Sequence, residues 1–232
     1  LKYDLVAFDF DGTLADSFPW FVSVLDGLAR RFDFRHATAE EKEAMRHMEA
    51  RAILKLLGVP IWKAPVIVAY ARRLMQQNLS SIRLFDGVAP ALARIAAGGP
   101  ALAVLSSNSL ANVKQVLGPD TAALVRFFEC GTDLFGKAAK IKRLLKHTGI
   151  EASRAILVGD ELRDIDAARA AGIVAASVAW GYNHPAALEA RGPDRLFRSV
   201  AELNDYFSTD RSPGMGLSDA DIKAAMPAAA NP

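Results

Sequence analysis

The chain has a single cysteine, Cys130, so no disulfide can close within its 232 residues and a stapled scaffold is excluded. Cys130 follows the apolar FFE and reads as a small core or strand-end residue. Reduced cysteine usage of this kind suits the cytoplasm. Neither sign of charge is in excess. Lys and Arg (28) face Asp and Glu (26), a net charge of +2. That balance lacks the footprint of a nucleic-acid or membrane-surface binder, and its slight basic surplus suits an anionic small substrate. Long apolar runs are missing too. Nothing approaches the ~18 apolar residues of a membrane span, and the N-terminus has no secretory hydrophobic stretch. The apolar share, 51%, is still ample for the core of one domain, or of one domain with an insertion.

From residue 100 onward, short β-rich runs alternate with helical patterns. ALAVLS (101–106) precedes SLANVKQVLG, VRFFEC (125–130) precedes KAAKIKRLLKHTG, AILVGD (155–160) precedes RDIDAARAAG, and IVAASVAW (173–180) precedes HPAALEARG. The alternation predicts an α/β fold with a parallel sheet, and the unbroken apolar runs predict strands covered on both faces. DLVAFDF at the N-terminus reads as a central strand. DRLFRS (194–199) reads as a short edge strand, and VAELNDYF as a last helix. Residues 17–81 break the rhythm with three helical patterns, FPWFVSVLDGLARRF, AEEKEAMRHMEARAILKLLG and APVIVAYARRLMQQNL. Thr38 and Glu41 form a capping-box signature for the second, which Gly58 and Pro60 close. Such a block predicts an inserted helical cap over residues 17–81, with residues 1–16 and 82–207 forming the core. Residues 208–232 read as a terminal extension in which Ser218 caps a short helix through Met226.

The polar residues that carry chemistry fall at predicted strand ends, where parallel α/β sheets bind ligands. Asp9 and Asp11 end the first strand, Ser106, Ser107 and Asn108 the second. Lys137 opens the helix after the third. Asp160, Glu161 and Asp164 follow AILVG. Each has a plain structural reading alone. DFDG can be a turn, Ser106 to Ser109 a helix cap, Lys137 a solvated residue, and Asp160, Asp164 and Asp166 partners of a helix dipole. Together, in this order, they suit phosphoryl transfer. One carboxylate can attack phosphorus, and a second, two residues on, can protonate the leaving oxygen and then activate water. Thr13, Ser106, Ser107 and Asn108, with backbone N–H groups and a lysine, are the candidates to hold phosphoryl oxygens. Acidic groups without cysteine or histidine among them favour a hard cation, Mg²⁺.

FDFDGTLADS, LAVLSSN, LFGKAAKI and VGDELRDIDAARAAG resemble the four ordered motifs of the haloacid dehalogenase-like hydrolase superfamily, and of its phosphoglycolate-phosphatase-like branch. The resemblance spans residues 3 to about 207 and implies a Rossmann-like core with a helical cap. It implies Asp9 as nucleophile, Asp11 as general acid/base, Ser106 as a phosphate ligand and Lys137 as a bridge between Asp9 and the phosphoryl group. It implies Mg²⁺ held by Asp9, the Asp11 carbonyl and Asp160, with Asp164 and Glu161 in support. Lys140 is a rival to Lys137 one helical turn away. WGYN (180–183) borders the pocket or packs its aromatic rings.

The expected function is Mg²⁺-dependent hydrolysis of a small phosphorylated metabolite by a monomer or homodimer. A sugar phosphomutase would use the same aspartyl-phosphate but need a bisphosphate activator and release no phosphate. A dehalogenase is disfavoured because displacing halide needs no acid at position 11. A non-catalytic binding module would hydrolyse no phosphate ester. In the cap, Arg46, His47 and Arg51 lie on the predicted second helix. Arg46 and Arg51 share part of one face there, suited to a carboxylate or second phosphate, or simply to solvent.

Overall fold

The computed structural model describes residues 2–131 and 136–209. Six strands, β1 (Leu5–Phe8), β2 (Ala101–Leu105), β3 (Val125–Glu129), β4 (Ala155–Gly159), β5 (Val174–Val178) and β6 (Arg195–Phe197), form one sheet in the order β3-β2-β1-β4-β5-β6. All five pairings are parallel, and β1 lies inside the sheet as expected. DRLFRS supplies the edge strand β6.

Alternation along the strands divides them between two cores. Val6 and Phe8 of β1 join Leu102, Val104, Ile156 and Val158 on one face. There they meet helices α5 (Val88–Ala97), α6 (Leu110–Leu124, kinked at Gly118) and α10 (Val200–Thr209). Leu5 and Ala7 face the other way, with Ala103, Leu105 and Leu157, onto α7 (Lys137–Thr148), α8 (Leu162–Ala171) and α9 (Pro185–Arg191). Burial on both faces is what makes these strands read as unbroken apolar runs. Helix α5 lies in a stretch the sequence reading leaves unassigned. Its buried Val88, Ala91, Leu92 and Ile95 have helical spacing. Pro90 falls in the first turn, where it removes no helical hydrogen bond.

The strand order reverses between β1 and β4, and register fixes what meets there. Phe8 pairs with Val104 on one side and Val158 on the other, so the chains leave the sheet side by side. Asp9 donates its N–H to the Val158 carbonyl (2.8 Å). Ser106 and Asp160 follow within two residues on the flanking strands.

Four helices stand between β1 and the rest of the core: α1 (Phe18–Phe32), α2 (Ala39–Met45), α3 (Ala50–Leu56) and α4 (Ala64–Gln77). Met45, Leu57 and Val59 give this block a small core of its own. The capping box forms, with Thr38 Oγ1 accepting from the Glu41 N–H and Glu41 accepting from the Thr38 N–H. The expected second helix is not continuous. It breaks at Arg46–Glu49 into α2 and α3, so Arg46 lies in the break, Arg51 lies on α3, and the two share no helical face. The cause is distant in sequence. Asn183, buried after β5, donates its amide to the carbonyls of Arg46 (2.7 Å) and Met48 (3.1 Å), and the His184 N–H adds a third bond to Arg46 O (2.8 Å). Those carbonyls turn outward to the core instead of closing a helix. The expected helix from Ser218 to Met226 lies outside the described residues. Among those residues no single helix is long and apolar enough to cross a membrane.

Asn183 also accepts from the Leu162 N–H (2.9 Å), so one side chain satisfies three backbone groups. Asn183→Ala should lower unfolding stability by about 2 kcal/mol, because buried groups left unpaired cost ~1–3 kcal/mol each before water relieves them. Asn183→Asp keeps the acceptor but sets a carboxylate against two carbonyls, and should be worse. Urea melts, with amide exchange over residues 46–50, read both effects.

Candidate active site

Beyond Phe8 the chain stays extended for three residues, and the side chains alternate. Phe10 is fully buried in the core, while Asp9 and Asp11 emerge on the opposite side. A tight turn follows, in which the Phe10 carbonyl accepts the N–H groups of Leu14 (3.0 Å) and Ala15 (2.9 Å). Gly12 sits there at φ +78°, a conformation that side chains with a Cβ rarely adopt. A Cβ at Gly12 would lie 2.2 Å from Asp160 Oδ2, and one at Gly181 2.2 Å from Asp160 Cβ. Two glycines thus let two backbone segments close around one aspartate.

Asp9 is 4% exposed. Its Oδ1 accepts from the Phe10 N–H (2.8 Å), and its Oδ2 is 2.7 Å from Lys137 Nζ. The same lysine donates to Asp164 Oδ1, whose partner oxygen accepts from the Glu161 N–H (3.1 Å). Lys140, the rival, faces elsewhere. Its Nζ donates to the backbone carbonyls of Ser106 (3.0 Å), Glu129 (3.3 Å) and Gly131 (3.3 Å), propping the ends of β2 and β3. Asp160 accepts from the Thr13 hydroxyl (2.7 Å) and the Tyr182 N–H (2.7 Å). Thr13, a candidate substrate ligand, is therefore 1% exposed and turned to Asp160. Carboxylate oxygens of Asp9, Asp160 and Asp164 lie within 4.8 Å of one another, close enough to share a cation. On the other flank Asn108 Nδ2 reaches Asp11 Oδ2 (3.3 Å), and Ser106 Oγ accepts from the Asn108 N–H (2.9 Å). Ser107 lines the space in front of them.

Burial sets the electrostatics of this cluster. It raises the Asp9 carboxyl above its ordinary range, against the pull of Lys137. It raises Asp160 well above that range, helped by repulsion from Glu161, Asp9 and Asp164. Asp11 is pushed up to about 6, by burial and then by the Asp9 charge. Burial works against the Lys137 cation, but Asp164 and Asp9 outweigh it and raise the ammonium above its usual range. Arg163, paired with Glu161, was not among the sequence candidates. Its signal was a cation set between Asp160 and Asp164. Tyr182 was also missed as a site residue, although its N–H fixes Asp160. Cys130 packs at the edge of the core, where burial pushes its thiol up to about 11.

A cavity of about 400 Å³ opens between the helical block and these residues. Asp11, Ser107 and Asn108 line it from the core, and Arg46, Arg51 and Arg72 from the helices. Arg46 is committed to the core loop, donating to the carbonyls of Tyr182 (3.1 Å) and Gly181 (3.2 Å) and pairing with Glu43. His47 stacks on His184.

The model of the haloacid dehalogenase-like hydrolases matches residues 6–178. The chain belongs to that family. It is 31% identical over 199 residues to a phosphoglycolate phosphatase of Synechococcus elongatus, covering 85% of this chain and 94% of that protein. A phosphoglycolate phosphatase of Caulobacter vibrioides is 30% identical over 216 residues, covering 85% and 88%. In fold it resembles a predicted phosphatase from Clostridium acetobutylicum, with TM-score 0.75 and 21% identity over 89% of this chain and 98% of the other. The family membership makes the protein a hydrolase, with phosphatases among its relatives, and the four motifs that carried the resemblance all fall inside the matched region.

A carboxyl raised on folding favours the native state at low pH and loses that benefit as pH climbs through its folded value. For Asp11 the loss runs from near pH 4 to just above pH 6. In chelator, melting temperature should therefore fall across that window. Asp11→Asn should flatten the fall and exceed the parent above pH 6 by about 1–2 kcal/mol, allowing for the partial exposure of the side chain. Thermal melts at half-unit pH steps measure this.

Proposed function

We propose that the protein hydrolyses small phosphate monoesters through an aspartyl-phosphate on Asp9, with a divalent cation, Mg²⁺, as cofactor. The observation that carries this reading is the pairing of Asp9, anchored at both oxygens, with Asp11 two residues on and facing the same side. Asp9 has a fixed carboxylate beside a lysine that can neutralise an incoming phosphoryl group. Asp11, raised to about 6, can hold a proton and also release one near neutral pH.

The steps follow from those positions. The Asp9 carboxylate attacks phosphorus as the bond to the leaving oxygen breaks, and Asp11 gives that oxygen its proton. Asp11, now ionised, takes a proton from water. The water oxygen attacks phosphorus, the bond to Asp9 breaks, and the Asp9 carboxylate and inorganic phosphate are restored. Lys137 steadies negative charge on the phosphoryl oxygens throughout. Ser106, Ser107 and the backbone N–H groups of their loop receive those oxygens.

The donor set fits a hard dication. Asp9, Asp160 and Asp164 offer only oxygens, and their burial leaves more negative charge than Lys137 and Arg163 offset. Asp9 and Asp160 would hold the ion with the Asp11 carbonyl, and Asp164 would stand by through Lys137. When bound, the ion draws charge from the phosphoryl group and keeps Asp9 ionised. Relatives named as phosphoglycolate phosphatases support a small anionic substrate of similar kind.

Asp11→Asn separates the two halves of the reaction. With an alkyl phosphate it should be nearly inactive. With p-nitrophenyl phosphate, whose leaving group needs little protonation, a burst of nitrophenol should precede a slow steady state. Phosphate should then be found by mass on the peptide containing Asp9, and Asp9→Asn should give neither burst nor adduct. Equal steady-state rates for Asp11→Asn and parent would remove the acid/base role. For the cation, Mg²⁺ should raise the melting temperature of the parent. In chelator Asp160→Asn should melt above the parent, since it removes a buried charge, and Mg²⁺ should raise it little. An equal Mg²⁺-induced rise in both would exclude Asp160 as a ligand.

A further inference from the structure

Arg72 lies on α4, one turn before the buried Met75, and both line the cavity that Asp11 and Asn108 enter from the core. Its Nε and Nη2 are shut off from water, and no acceptor among the described residues meets them. Buried polar hydrogens are almost always paired, and leaving a cation's donors unmet is costly. These two N–H groups are not scattered. They share the outer edge of the guanidinium, where two parallel donors match the two oxygens of a carboxylate. A second donor faces the same cavity unpaired, the indole Nε1–H of Trp20 on α1.

Two other arginines reaching this space are engaged elsewhere, and Lys42 pairs with Asp26. Arg46 is tied to the Gly181 and Tyr182 carbonyls, and Arg163 is paired with Glu161. The acid whose charge acts on Arg72 is Asp11. If Asp11 serves the leaving oxygen, Arg72 faces the leaving group and not the phosphoryl oxygens. The remaining wall is mostly apolar, with Leu25, Met45, Ile53 and Ile67. A second phosphate, with two charges and three oxygens, asks for more than the two parallel donors of the Arg72 edge. A carboxylate, with one charge and two oxygens, matches that edge.

We propose that Arg72 is the specificity-determining residue of this site, gripping through its Nε–Nη2 edge a carboxylate on the leaving group. The assignment rests on the phosphatase reading above and adds to it the residue that recognises the leaving group. Arg46 and Arg51, the cap residues that the sequence suggested, are not needed for it.

The test compares 2-phosphoglycolate with its neutral amide, 2-phosphoglycolamide, which keeps size and ester and removes only the charge. With Mg²⁺ in excess, the parent should favour the acid in kcat/KM by roughly 10²-fold, as sites built around a buried donor pair do. In Arg72→Gln that preference should fall at least tenfold, mainly through a higher KM for the acid, because the contact is made in ground and transition states alike. Arg72→Lys keeps charge and stem but not the fork. It should lie between the two, and it keeps the ratio readable if the glutamine variant does not fold. A parent that does not discriminate, or variants with the parent's ratio, overturn the assignment while hydrolysis of p-nitrophenyl phosphate upholds the phosphatase reading. A parent that prefers a bisphosphate to both esters, with that preference lost in Arg72→Gln, overturns the carboxylate. A parent that hydrolyses none of these esters overturns both readings.

Discussion

Carboxylates crowded at the end of a buried sheet repel one another and have lost their water, and the local structure is arranged around that penalty. Lys137 is the main internal answer to it. Its ammonium touches Asp9 and is bonded to Asp164, so one cation serves the end of β1 and the first turn of α8, 155 residues apart in sequence. Neither the lysine nor the acids would be stable there alone, because an unpaired buried charge is far more costly than a paired one. Removing one member therefore does not delete a contact; it strands the others. The same logic explains why the rest of the supply is neutral. The N–H groups of Phe10, Glu161 and Tyr182 and the hydroxyl of Thr13 are fixed donors aimed at carboxylate oxygens. They hold the acids in place without cancelling the charge that a cation or a phosphoryl group has to meet.

Access to such a cluster demands close backbone approach, and that requirement spreads outward. Gly12 and Gly181 let the turn after β1 and the loop after β5 press on Asp160. Having come that close, the loop after β5 continues through Tyr182 and Asn183 into the helical block. Tyr182 meets Phe18 and Phe21 of α1, while Asn183 takes the carbonyls at the break between α2 and α3. One loop thus contacts a site acid at one end and the helical block at the other. The bonds that Asn183 makes to that block are one residue along the chain from the Tyr182 N–H that holds Asp160.

Much of this was legible because parallel sheets translate local patterns into position. Apolar runs marked the strands, and whatever polar residue ended each run was bound to reach one edge. Asp9, Ser106, Lys137 and Asp160 were found that way, and the choice of Lys137 over Lys140 agrees with the contacts of each. What escaped was set by residues far away in sequence. Nothing between Thr38 and Gly58 announces a helix break, since the bonds that open it come from Asn183 and His184. Thr13 carries no local sign that its hydroxyl belongs to a carboxylate 147 residues on. Arg72 looks like any basic residue on an amphipathic helix, and only the absence of partners among the described residues for two of its nitrogens sets it apart. Helix α5 is a different kind of miss, because its apolar spacing was present.

The division of cations in the cavity follows from how each is held. Lys137 is fixed on both sides by acids, so it can offer its charge to a phosphoryl group without moving. Arg46 is spent on backbone carbonyls, a bond pattern that fastens two parts of the chain and leaves little for a ligand. Arg72 has its polar edge dry and unmet, a state that folding alone does not favour and that an anion of matching shape would relieve. In the proposed reaction the cation for the common part of the substrate, Lys137, is thus built into the core, where the sheet sets its position. The cation poised for the variable part is carried on a helix outside the sheet, where its sequence can change without disturbing Asp9, Asp160 or Lys137. A site so divided can keep one reaction while its choice of leaving group changes.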